Sequence, residues 1–182
     1  MFKDSAEAIK WAEVYSAKSN VKSQIGNLMK KSSGGEPVFD IALSISARVA
    51  ECTPKVNALA LKCIYGAPDR TKDEILGEMI GERLIAICPG CGKSREQLNR
   101  LGYVTVKAER AFEVYGDKYP LKRMAYDIGV SRQQFCNATR WLEARAESMN
   151  MLRNWVASGR REIELWLDEH DWFDTGYIEE MS

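Results

Sequence analysis

Ala125, Gly129 and Phe135 fall in an Ala-x3-Gly-x5-Phe rhythm inside the stretch Pro120 to Arg145, PLKRMAYDIGVSRQQFCNATRWLEAR. That spacing restricts the local chain to two short helices crossing at a turn. Leu121 to Ile128 is expected to form the first helix with Ala125 facing the second, since a larger side chain there would push the crossing apart. Gly129 takes the turn, because a left-handed backbone costs glycine least. Ser131 is the expected N-cap of the second helix, and Gln134 three residues on completes a capping box. Val130 and Phe135 sit where a hydrophobic staple would, and Phe135 with Ala138 is expected to face the core. Arg132, Gln133, Asn137 and Arg140 are then left outward, with Gln134 divided between cap and surface.

These are side-chain types that reach base edges and phosphates in a DNA groove. The stretch therefore reads as a helix-turn-helix for double-stranded DNA. The expected contacts are Ser131, Arg132, Gln133, Gln134, Asn137 and Arg140, with Lys122 and Arg123 directed toward phosphate. The plain alternative is an ordinary helical hairpin with a polar outer face.

Net charge is zero over 182 residues, but its distribution is not even. From Lys118 to Arg161 there are nine Lys or Arg against three acids, whereas Glu162 to Ser182 holds eight acids and no Lys or Arg. A basic block is the footprint expected for phosphate contact, and a global sum hides it.

Almost every other segment reads as helix, which predicts an all-α fold: a helical bundle with a C-terminal helix-turn-helix module and a long trailing helix. Helices are expected over Ser5 to Ala17, Val21 to Met29 and Val38 to Cys52, with Ser32 to Pro37 as a linker. Thr53-Pro54 reads as N-cap and first helical residue of a helix that buries Val56, Leu59, Ala60, Cys63 and Ile64 and stops at Gly66. A capping box at Thr71 to Glu74 opens a helix running to about Ile87. Another at Ser94 to Gln97 opens a short one ending at Gly102. Tyr103 to Val106 is strand-like, and Val106 to Tyr115 is helical again. After Ser131 the helical pattern continues to Gly159, followed by a second segment with Ile163, Leu165, Trp166 and Leu167. This divides the chain into an N-terminal helical part (1–66), an inserted Cys-containing segment (67–102), the DNA-binding module (103–161) and an acidic aromatic tail (162–182).

Five cysteines, odd in number and set mostly in helical patterns, suit a reducing cytosol better than a disulfide framework. No apolar run is long enough to span a bilayer, and the first residues lack a signal peptide's apolar core, so a cytoplasmic protein is expected. Cys88-Pro-Gly-Cys91 looks like half of a zinc site, but a closed site needs four ligands and no second Cys-x-x-Cys exists. His170, the single histidine, lies among acids. No Gly-rich phosphate loop and no G-x-S-x-G elbow occurs, so recognition is expected rather than catalysis, and no cofactor. The tail Trp166 to Tyr177 mixes acids with aromatics. It reads either as an interaction segment or as a last helix docking on its own domain.

The element Tyr119 to Met149 resembles the helix-turn-helix of bacterial sigma-factor region 4 and of phage late-transcription regulators. The wider layout is an N-terminal helix with Ala8-Ile-Lys-Trp11, a helix beginning near Asp40, and Thr53 to Gly66 ending in Cys-Ile-Tyr-Gly, then the helix-turn-helix with its trailing helix. It resembles phage late antitermination proteins of the Q type over about two thirds of the chain. The block from Ala67 to Gly102 departs from that pattern. Some Q proteins bind zinc through a pair of Cys-x-x-Cys motifs, and here only Cys88 and Cys91 are present. The resemblance implies a protein that binds DNA near a late promoter, loads onto paused RNA polymerase in the bacterial host cytosol, and suppresses pausing and termination. A homodimer is compatible with this reading. The alternatives are a phage DNA-packaging or replication adaptor, and a helical interaction protein that does not touch DNA.

Overall fold

The structure, a computed structural model, describes residues 2–26, 37–87, 94–170 and 172. Among these the chain is all-α, with eight helices and no strand: α1 (Ser5–Gly26), α2 (Pro37–Glu51), α3 (Lys55–Tyr65), α4 (Arg70–Ile87), α5 (Arg95–Tyr115), α6 (Leu121–Ile128), α7 (Arg132–Asn137) and α8 (Thr139–Glu169). The two helices expected before residue 30 are one, α1, as far as Gly26. The linker expected at residues 32–36 lies outside the described residues, and Pro37 opens α2.

Helix α3 occupies the centre, packed by α1, α2, α4, α5 and α8. That crowding turns the expected one-sided apolar face into burial nearly all round, with Asn57, Ala58, Leu61 and Tyr65 buried beside Val56, Ala60, Cys63 and Ile64. Leu59 is only half-buried. Pro54, not Thr53, holds the position before the first helical residue, and no side chain caps it. Thr53 instead donates its amide to the Glu162 carboxylate at 3.2 Å.

The Ser94 box forms as expected, with Gln97 N–H donating to Ser94 Oγ at 3.1 Å and Ser94 N–H to Gln97 Oε1 at 3.3 Å. Helix α5 nevertheless runs through Gly102 to Tyr115, so Gly102 is not a stop and Tyr103 to Val106 is not extended. Val104, Thr105 and Val106 are 1% exposed or less. Their burial outweighs the mild helix penalty of β-branched residues. At the start of α4 the Thr71 to Glu74 box gives way to Asp69, whose Oδ1 accepts from the amides of Thr71 (3.0 Å) and Lys72 (3.3 Å).

Buried charges join the central helices. Arg110 of α5 forms a two-pronged pair with Asp73 of α4, one arm at 2.9 Å, and donates Nε–H to the Cys63 carbonyl of α3 at 2.5 Å. Glu109, also buried, receives Arg153 of α8 at 2.7 and 3.1 Å.

Helix α8, at about 1.5 Å of rise per residue, is a rod on the order of 46 Å that ties the α6–α7 end of the molecule to the N-terminal helices. It passes without interruption through Gly159, expected as an end, and joins the segment expected after it. Gly159 is instead a contact point, where an added Cβ would stand 2.8 Å from Leu61 Cδ1. At its far end Trp172 meets Trp166 edge-on at 5.0 Å and accepts the Phe2 amide at 3.2 Å. This part of the aromatic tail thus docks on its own domain, while Phe173 and Tyr177 lie outside the described residues. One buried cluster extends from Ala8 to Leu167. The boundaries drawn from sequence after residues 102 and 161 fall inside α5 and α8, where the chain continues as helix.

Candidate nucleic-acid interface

Helix α6 divides cleanly. Met124, Ala125 and Ile128 are buried, while Leu121, Lys122, Arg123 and Tyr126 are exposed. Gly129 then adopts φ 81°, ψ 35°. Its amide donates to the Tyr126 carbonyl and the Val130 amide to the Ala125 carbonyl, both at 3.0 Å. This pair of bonds satisfies carbonyls that a helix end otherwise leaves open, and it needs the left-handed residue that glycine supplies at least cost. The chain leaves the turn into Ser131, whose Oγ accepts the Gln134 amide at 3.2 Å while Gln134 Oε1 accepts the Ser131 amide at 3.4 Å. The amide oxygen of Gln134 is therefore committed to the cap.

Only Phe135 is buried in α7. Arg132, Gln133, Gln134 and Asn137 are exposed, and Cys136 is half-buried. Gln133 and Asn137, four residues apart, share a helical face. Arg132 forms no ion pair among the described residues.

The second helix is shorter than expected. Ala138, expected to face the core, is exposed and extended (φ −76°, ψ 120°), and it ends α7 and begins α8. Phe135 and Trp141, six residues apart, would point about 120° away from each other on one continuous helix. The break at Ala138 turns both rings inward, their centroids 5.8 Å apart. As a result Arg140 stands in the first turn of α8 and not on α7, although it remains exposed.

Neighbouring cations are held by aromatic and carbonyl partners. Arg123 lies 5.7 Å from the Tyr119 ring centroid, and Lys107 lies 5.6 Å from it. Tyr119 donates its hydroxyl to Asp127 Oδ2 at 2.9 Å. Burial, reinforced by that carboxylate, pushes the phenol up to about 12. Lys122, one residue before Arg123, is exposed. Arg145 of α8 lies 4.7 Å from the Phe135 ring centroid and points Nη1 at the Phe135 carbonyl, 3.5 Å away. Sequence reasoning placed Arg145 only in a charge sum. Its ten-residue distance from Phe135 crosses a helix break, so no local pattern pairs the two.

The same holds for the basic block as a whole. Arg153 pairs with buried Glu109 while its own side chain stays 54% exposed, and Arg160 donates to Ser5 Oγ at 3.2 Å and lies 4.0 Å from Glu164. Arg153 thus offsets a buried acid, and Arg160, half-buried, is engaged by Ser5 and Glu164. Lys118, Lys122, Arg123, Arg132, Arg140, Arg153 and Arg161 carry the exposed charge.

Cys88 and Cys91 lie outside the described residues, and among the described ones no group of three or more His, Cys, Asp or Glu could hold a metal. Cys52 and Cys63 are buried. Burial and the nearby Asp73 push the Cys63 thiol up to about 12. No helix among the described residues is long and apolar enough to cross a membrane. Comparison with known protein families, with curated proteins and with solved structures finds no match to this chain.

Proposed function

We propose that the α6–turn–α7 unit is a helix-turn-helix that binds duplex DNA, and that the protein is a DNA-binding transcription regulator. The observation that carries this reading is α7 itself. It has one buried side chain, Phe135, and otherwise presents Arg132, Gln133, Gln134 and Asn137 to solvent. Arg and the amides make bidentate pairs with guanine and adenine edges in the major groove. Six residues are enough, because the N-terminal part of a recognition helix makes the base contacts. Arg132, Gln133 and Asn137 would read bases. Lys122, Arg123 and Arg140 would contact phosphates from the start of α6 and from the first turn of α8. Ser131 and Gln134 act first as the cap that fixes the helix start. The wider reading, a phage late antiterminator that joins RNA polymerase, rests on the sequence resemblance.

Selection of duplexes from a random pool, followed by anisotropy titration, tests the proposal. Affinity should fall linearly on a log–log plot against salt, because bound phosphates release counterions. Absence of duplex binding at low salt overturns the proposal. Transcription through a terminator downstream of the protein's own late promoter, with and without protein, tests the antitermination extension. Unchanged read-through refutes that extension alone.

A further inference from the structure

Helix α7 is too short to be stable by itself. It is fixed at its N-terminal end by the Ser131–Gln134 box and at its middle by the Phe135 ring against Trp141. At its C-terminal end the Gln134 carbonyl accepts the Ala138 amide at 3.1 Å, and the break there interrupts the ladder that would serve the carbonyls after it. Arg145 reaches back from α8 to that end, stacked on the Phe135 ring at 4.7 Å with Nη1 3.5 Å from the Phe135 carbonyl. The side chain is half-buried and lines a groove of about 640 Å³ between α5, α6 and α8, with Phe112, Leu121, Leu142 and Met149. That groove is lined by no residue of α7, whereas Arg132 is exposed on α7 itself.

We propose that Arg145 is a positioning residue: its guanidinium clamps the C-terminal end of α7 to α8, so that Arg132, Gln133 and Asn137 are presented in a single orientation. The inference rests on the reading of α7 as a base-reading helix. Its physical core, the clamp, is measurable without DNA. A planar guanidinium can stack on the ring and donate in its own plane at the same time. Lysine keeps the charge but loses that geometry, and methionine keeps most of the packing but loses both charge and donor.

The test compares wild type with Arg145→Met and Arg145→Lys in the full chain, well below each variant's melting temperature. Cys136 lies in α7 and serves as a native reporter. Peptide-resolved alkylation of its thiol, and hydrogen exchange of the amides from Phe135 to Ala138, should accelerate about 3- to 10-fold in both variants as the end of α7 opens locally. The ratio of selected-site to random-duplex affinity should fall about tenfold, while the slope of log affinity against log salt stays unchanged. A slope smaller by about one would make Arg145 a phosphate contact itself and overturn the proposal. Unchanged Cys136 and amide kinetics in Arg145→Lys would also overturn it, even if Arg145→Met failed to fold. If wild type binds no duplex while the α7 kinetics still accelerate, the DNA reading fails and the clamp stands.

Discussion

Gly102 of α5 packs directly against the backbone of Gly77 in α4, so closely that neither residue has room for a Cβ. A Cβ on Gly77 would stand 2.6 Å from the Tyr103 amide nitrogen, and one on Gly102 would collide with the Gly77 carbonyl oxygen. The obstacles are backbone atoms, which cannot rotate away. Gly102→Ala should therefore force the helices apart. Overpacking costs about 1–3 kcal/mol, and alanine's better helix propensity returns at most about 1 kcal/mol. Urea unfolding should show a lower midpoint at unchanged m-value. A rise in midpoint would mean that the helices separate freely.

Arg110 and Asp73 are 8% and 5% exposed at their side chains, so neither charge has water to fall back on. Arg110→Met should cost about 3–5 kcal/mol, because it strands the Asp73 carboxylate. Adding Asp73→Leu should recover much of that loss, leaving chiefly the Cys63 carbonyl that Arg110 also serves. The double variant should thus be more stable than Arg110→Met alone, and additive losses in a double-mutant cycle would contradict this.

For the proposed interface, Arg132→Ala should cost about 1–3 kcal/mol on the selected duplex and relax sequence preference at one position. Arg140→Ala should weaken selected and random duplexes alike and lower the salt slope by about one. Full affinity in the Arg132→Ala, Arg140→Ala double variant would remove both residues from the contact surface.

Alkaline pH should unfold the protein through its buried acids. Cys63 is raised from 9.0 to about 12 by burial and Asp73, and Cys52 is raised by burial and Glu162. Tyr65 is raised by burial and Glu113. Above about pH 9 the unfolded chain releases thiol protons that the folded chain keeps, so folding stability is lost as pH climbs. This contribution is fully present below pH 9 and disappears as pH rises toward 12. Urea midpoints at pH 8 and pH 10.5 should differ in that direction, and Cys63→Ala should shrink the difference. Equal midpoints would show that the thiol titrates in the folded protein as it does in water.

The local grammar of the chain was readable where one residue's conformational need decides the outcome. Gly129 had to be left-handed for the turn to close, and Ser131 and Ser94 each had a Gln three residues on to complete a box. Glycines at 102 and 159 were misread as ends, because glycine's freedom and its smallness write the same letter. There the smallness is what the fold uses, since another chain segment lies against each. The break at Ala138 left no trace, because alanine is the best helix former known.

The sequence alone determined that this chain is helical, where most helices begin, and which residue types α7 offers to solvent. All of these follow from interactions within a few residues. The tertiary structure decided what distance along the chain conceals. It ended α7 so that Phe135 and Trp141 could share a core, and it placed Arg140 on a different helix from Arg132. It also paired Arg153 with buried Glu109 of α5 and set Arg160 against Ser5 of α1. Burial and charge pairing depend on neighbours in space, and the one-dimensional pattern carries no record of which neighbours those are.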